Sequence, residues 1–234
     1  LHDAEADRVH PGKKNRPIAS GQFPVTLAVV EYFVLLLTAL KLSTLLGPVF
    51  AINLAAYFLL QSLYTYALKN WVLVDVFTVA IGFVMRVLAG TLAAGVWTSP
   101  WLLLCTFMAA LFLILCKRRE EKVSLGDEAP KHRHVLAFYE TSFLDHLITA
   151  TAAVTIVCYA IYSVAPQTVA RFGTESLVLT VPFVAFGIFR YLYLVICCGQ
   201  GGQPEKTLTR DLPTVLNILL YLAIFATVIF GVHR

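Results

Sequence analysis

Hydrophobic positions in this chain fall in long, nearly unbroken runs rather than in strict alternation. Seven runs, at roughly 24–46, 48–67, 72–95, 101–116, 141–165, 176–196 and 212–232, approach or exceed the about 20 apolar residues that carry a helix across a bilayer. Polar residues are confined to the intervals between them. Gly47-Pro48 separates the first two runs, and Thr98-Ser99-Pro100 the third and fourth, as turn residues do between helices. The runs are too long and alternate too little for strands, so a transmembrane barrel is not expected. No repeat with a period of 20–50 residues is evident. The pattern predicts an all-α fold: a polytopic transmembrane helix bundle of seven spans, one domain over 1–234.

Composition supports the same reading. Of 234 residues, 59% are hydrophobic and 14% charged, against about 45–50% and about 25% in soluble domains. So few charges cannot cover a water-exposed surface, and so much apolar side chain excludes intrinsic disorder. Cys105, Cys116, Cys158, Cys197 and Cys198 fall mostly in apolar runs without metal-ligand spacing and read as small buried hydrophobes.

The net charge of +4 is informative only through its distribution. Thirteen of the 18 Lys and Arg residues lie in the segment 1–22, at Lys69, in the interval 117–137 or in the interval 197–211. Arg171 and Arg234 fall on the opposite side, and Lys41, Arg86 and Arg190 lie within runs. The positive-inside tendency places the first group in the cytoplasm. The chain is expected to cross its membrane several times, with membrane lipids and no nucleic acid as partners.

Three polar segments carry candidate chemistry on that side. Asp3 and Asp7 are four residues apart, so a helix would put both carboxylates on one face. Like charges there repel unless a cation lies between them, and hard oxygen ligands beside Lys13 and Arg16 suit Mg2+ bridging to phosphate. A solvated, membrane-proximal charge cluster has the same composition. Lys117-Arg118-Arg119-Glu120-Glu121-Lys122 fits either a positive-inside anchor or an anion-binding cap over a site. Tyr64 and Lys69 end the second run. Ionisable residues within spans are functional candidates by default, here Glu31, Asp75, Arg86, Asp145 and Arg190. Arg86, near mid-bilayer, must face protein or a polar cavity. Asp145 and Arg190 suit a pair with another helix as well as a ligand contact. His132 and His134 lack metal-ligand companions. Gly199-Gln200-Gly201-Gly202-Gln203 matches no phosphate-loop or dinucleotide pattern and is expected to be a flexible loop.

Taken together, these residues resemble the UbiA superfamily of membrane prenyltransferases. That family's first Asp-rich motif is N-D-x-x-D-x-x-x-D; Asp3 and Asp7 match its last two acids, and His10-Pro11-x-Lys13-x-x-Arg16-Pro17 is similar to its continuation. The resemblance covers essentially the whole chain. It implies a nine-helix fold of which the seven runs are helices 3 to 9, a sequence beginning inside the first motif, and no activity for these 234 residues alone. Typical members carry a second Asp-rich motif where this chain has Lys117-Arg118-Arg119-Glu120-Glu121. That basic replacement is similar to the decaprenyl-phosphate phosphoribosyltransferase branch. So are Tyr64 with Leu68-Lys69, Asp75, Gly82-Phe83-x-x-Arg86-x-x-Ala89-Gly90, Tyr139 with Phe143-Leu144-Asp145, and Phe189-Arg190-Tyr191-Leu192-Tyr193.

The resemblance implies Mg-dependent transfer of the 5-phosphoribosyl group from phosphoribosyl diphosphate to a polyprenyl phosphate, in cell-envelope arabinose-donor synthesis. Asp3 and Asp7 would ligate Mg2+ and act catalytically. Lys13, Arg16 and Lys69 would grip diphosphate or 5-phosphate, and Lys117 and Arg118 the 5-phosphate or the lipid phosphate. Tyr64, Tyr139, Asp145 and Arg190 would line the substrate pocket. A conventional prenyl transfer to an aromatic acceptor would call for paired Asp residues after position 116. A transporter or scaffold would call for mid-depth helix breaks and repeats. The chain is compatible with a homo-oligomer.

Overall fold

The computed structural model describes residue 8 and residues 15–202 and 204–231, with the side chains of Lys131, Glu205, Lys206 and Leu208 excepted. Seven long helices account for the apolar runs: α1 Val25–Ser43, α2 Pro48–Tyr66, α3 Val74–Ala93, α4 Pro100–Leu125, α5 Thr141–Val164, α6 Val181–Ile196 and α7 Leu212–Gly231. All seven, some extended by a 3-10 turn, are long and apolar enough to cross a membrane. Pro48 and Pro100 each sit at the first position of their helix, where a missing N–H costs no hydrogen bond. Gly47 before α2 takes φ +104, a conformation closed to most side chains.

Each helix packs chiefly on its neighbours in sequence, so the chain runs up and down as an arc. The tightest region lies where α3, α4, α5 and α6 meet, around Val76, Leu111, Leu115, Leu144, Ile148 and Val195. Small residues on the facing surfaces, Ala80, Ala110 and Ala152, let these backbones approach, which is how packing is gained where lipid offers no hydrophobic contrast. Outward-facing Leu27, Phe33, Leu37, Ile52, Leu59 and Leu219 are each more than half exposed. On a soluble protein such a surface would aggregate; on this bundle it is the lipid-facing belt. The chain is an integral membrane protein.

The interval 117–137 departs from the loop expected for it. α4 continues nine residues beyond Cys116, through Lys117 to Leu125. Its 26 residues span about 39 Å, against about 30 Å of hydrocarbon. The extra turns therefore lift the charged run clear of the apolar layer while keeping it helical. Lys, Arg and Glu are good helix formers, Arg118 and Glu121 pair within a turn at 3.0 Å, and nothing breaks the helix before Gly126, at φ +49. A short helix Ala129–His132 and a 3-10 turn His134–Ala137 then lead to α5. The interval 197–211 likewise contains a helix, Pro204–Arg210. Its glycine stretch is folded against the bundle rather than extended: Gly201 is buried, the Gln200 N–H donates to Leu194 O at 3.0 Å, and Thr207 Oγ1 donates to Gln200 O at 2.9 Å.

Candidate functional site

Alternating helix direction brings the ends of α2, α4 and α6 together with the starts of α3, α5 and α7. Tyr64, Asp75, Arg118, Arg119, Tyr139, Asp145, Arg190 and Asp211 all lie at this one end of the bundle. Consecutive residues of α4 point around the helix, about 100° apart, so the charged run reaches a different neighbour at each position.

Arg118 turns toward α3 and α2. It is 4% exposed, and Asp75 is fully buried. Arg118 Nε donates to Asp75 Oδ2 at 2.9 Å, Nη1 to Glu121 Oε2 at 3.0 Å and Nη2 to the Tyr64 hydroxyl at 3.4 Å. The second Asp75 oxygen accepts from the Tyr139 hydroxyl at 2.7 Å. That hydroxyl accepts in turn from the Leu73 N–H at 2.8 Å. Leu73 has φ +66, strained for a leucine, so the hydrogen bond holds an unfavourable backbone at the α3 start. Burial, and then the hydrogen bond to Asp75, push the Tyr139 phenol well above its ordinary range, keeping it a donor. Arg133 Nη1 reaches the same Tyr64 hydroxyl at 3.0 Å. Two buried charges are thus neutralised and nearly saturated with hydrogen bonds, the condition under which a buried ion pair is tolerated.

Arg119 turns the other way, pairing through Nε with Asp145 of α5 and through Nη1 with Val195 O of α6 at 3.2 Å. Lys122 donates to Leu136 O at 2.8 Å. Lys117 is exposed. Arg190 forms a bidentate pair with Asp211, at 3.0 and 2.8 Å, and lies over the Tyr193 ring at 5.1 Å. Asp211 also accepts from the N–H and hydroxyl of Thr214, at 3.1 and 2.7 Å, so it caps α7. These donors, Arg190 foremost, hold the Asp211 carboxyl well below the usual carboxylate range.

Of the residues singled out in the sequence, Tyr64, Arg118 and Tyr139 form one network around Asp75. Asp145 and Arg190 each make an interhelical pair. Arg16 is exposed and Lys69 half-buried. Asp3, Asp7 and Lys13 lie outside the described residues. Arg86 makes no pair with Asp75; it bonds the Tyr57 hydroxyl, at 3.1 Å from Nε, and lies over the Tyr57 and Phe83 rings. It is nonetheless exposed, where a position facing protein or a polar cavity was expected. Sequence reasoning gave Arg119 and Glu121 no role beyond that of the charged run as a whole, and none to Arg133 or Asp211. Asp211 had a signal: an acid three residues before Thr214, at the edge of an apolar run, is an N-cap signature.

Two cavities open nearby. One, of about 320 Å³, lies between α4, α5, α6 and α7 and is lined mainly by apolar groups, among them Phe112, Phe183, Ile188, Tyr191 and Tyr221. The other, of about 520 Å³, lies at the charged end between α4, the glycine stretch and the α7 start. Among the described residues, no three His, Cys, Asp or Glu side chains converge as a metal site. Asp75, Glu121, Asp145 and Asp211 at this end are each turned to an arginine.

Fold and site together define a polytopic helical membrane protein whose interhelical ion pairs, among the described residues, are gathered at one end of the bundle. The UbiA prenyltransferase family matches residues 1–197, and the chain belongs to it. It is therefore a transferase. The chain is 33% identical to the decaprenyl-phosphate phosphoribosyltransferase of Mycolicibacterium smegmatis, over 97% of this chain and 72% of that protein. Identity to the proteins of that name from Mycobacterium tuberculosis and Corynebacterium glutamicum is 31% and 32%, over 99% and 97% of this chain and 76% and 68% of theirs. The family and branch suggested by the sequence motifs are borne out.

Proposed function

We propose that this protein transfers the 5-phosphoribosyl group of phosphoribosyl diphosphate to a polyprenyl phosphate at the cytoplasmic face of the bacterial plasma membrane. A lipid phosphate oxygen forms a bond to the anomeric carbon. The bond from that carbon to the diphosphate oxygen breaks, and its electron pair leaves with diphosphate. No protein nucleophile is needed, so the protein's task is positioning and charge stabilisation of an oxocarbenium-like centre. The observation that carries this reading is the basic run Lys117-Arg118-Arg119, standing at the end of α4 where an acidic motif would serve a conventional prenyl diphosphate.

The geometry divides that run. Arg118 and Arg119 tie α4 to α3, α5 and α6 and fix the site's floor. Lys117, exposed, contacts phosphate, together with Lys13, Arg16 and Lys69. Tyr64 and Tyr139 hold the Arg118–Asp75 pair, and Asp145 and Arg190 anchor Arg119 and the α7 start beside the substrates. The apolar cavity beside Tyr191 and Tyr221 takes part of the isoprenoid chain. Mg2+, held by Asp3 and Asp7, would stabilise the departing diphosphate. In full-length protein, Asp7→Ala should lower transfer more than about 100-fold and Lys117→Ala about tenfold, as loss of charge-assisted contacts does. An Asp7→Ala protein working at the wild-type rate would overturn the reading.

A further inference from the structure

Within the run 118–122, Arg118, Arg119, Glu121 and Lys122 all have partners inside the protein. Glu120 differs: its Oε2 is buried with no hydrogen-bond partner. A buried carboxylate oxygen left without a donor is costly, because it has given up water and gained nothing in return. Such a group persists where a donor arrives from outside. Glu120 lines the cavity of about 520 Å³ at the charged end, with Gly199, Gln200, Gly202, Thr207, Arg210 and Asp211.

The wall opposite Glu120 is glycine for a steric reason. A Cβ on Gly201 would stand 2.9 Å from Cys116 O and 3.2 Å from Glu120 Cβ; one on Gly202 would stand 3.2 Å from Glu120 Cγ. The glycines thus bring backbone against the Glu120 stem and leave the cavity open beyond it. Arg210 lies exposed at its edge. A divalent cation suits this place poorly, because Asp211 is already engaged by Arg190 and Thr214. One open carboxylate with a single exposed arginine at the edge suits a ligand with hydroxyl donors on one side and an anionic group on the other.

Building on the phosphoribosyl reading above, we propose that the Glu120–Gly199–Gly202–Arg210 cavity is the sugar subsite, where the Glu120 carboxylate accepts hydrogen bonds from the ribose hydroxyls of the donor while Arg210 faces one of its phosphates. Glu120 then sets preference for a ribosyl over a deoxyribosyl donor.

The test uses full-length protein in detergent with polyprenyl phosphate and three donors: phosphoribosyl diphosphate and its 2-deoxy and 3-deoxy analogues. Wild type should prefer the ribosyl donor in kcat/KM over at least one analogue. Comparing that ratio between proteins cancels the analogues' intrinsic reactivity. Glu120→Ala should shrink the preference about tenfold or more, chiefly by raising KM for the ribosyl donor, as expected for losing a hydrogen bond to a charged group. The near-isosteric Glu120→Gln should shrink it less, and Gly202→Ala, which displaces the Glu120 stem, should shrink it with Glu120 intact. Equal slowing on all donors by every variant, or an unchanged preference, would remove the subsite while leaving the transferase reading in place. No transfer by wild type from any donor would remove both.

Discussion

Asp75, Arg118 and Tyr139 show at the scale of single residues why a charged group can sit inside this bundle. Every strong donor and acceptor among them faces another, and removing one strands the rest. Arg118→Ala leaves the Asp75 carboxylate buried and unpaired, a change that costs about 3–5 kcal/mol in comparable buried pairs. A clear fall in the apparent unfolding temperature in detergent is expected. The double variant Asp75→Asn with Arg118→Met should recover part of it, and a double variant no better than Arg118→Ala would contradict the pairing. Tyr139→Phe, which orphans the Leu73 N–H as well as one Asp75 oxygen, should cost about 1–3 kcal/mol. The Arg190–Asp211 pair makes a pH prediction. The folded Asp211 carboxyl lies below its ordinary value of 3.8, so its contribution is present above about pH 4 and lost as pH falls further. Asp211→Asn should flatten that part of the acid-unfolding profile, measured by intrinsic fluorescence; an unaltered profile would show that the pair does not contribute. The residue types of this network were legible in the sequence as intramembrane charges, but their partners were not. Arg118 meets Asp75 across 43 positions and Tyr139 meets it across 64, separations that helix periodicity does not encode.

At the scale of elements, the seven spans were readable because apolar runs and prolines mark their boundaries directly. The end of α4 was not. A basic-acidic run after an apolar one looks like a loop by composition, yet its residues favour helix, and only Gly126 stops it. The glycine stretch was misjudged for the complementary reason: glycine suggests freedom, while here it permits contact. Gly201→Ala places a methyl group 2.9 Å from Cys116 O. Backbone must shift, and the stretch should separate from α4. Hydrogen exchange at residues 199–202 should rise without general loss of helix, and unchanged exchange would show that the contact is not what holds the stretch.

On the scale of the whole molecule, up-and-down connectivity gathers the ionisable residues of six helix ends at one face. On the proposed reading that face is the cytoplasmic one, as the positive-inside tendency favours. Cys116 and Cys158 are buried as expected of small hydrophobes, but Cys197 and Cys198, also expected to be buried, are exposed just beyond α6 at the same end. A membrane-impermeant maleimide should therefore label the native protein only after the cytoplasmic side of the membrane is opened, and labelling of intact cells would reverse the orientation. Family and architecture were legible at this scale because the motifs stand in order along the chain; the chemistry depends on where the anionic substrates meet the charged end. The most direct measurement supplies labelled phosphoribosyl diphosphate, polyprenyl phosphate and Mg2+ to the full-length protein in detergent and follows label into the lipid fraction. The account predicts a labelled lipid together with one equivalent of released diphosphate. An unlabelled lipid fraction, with the protein instead attaching a prenyl group from a prenyl diphosphate to an aromatic acceptor, would contradict it.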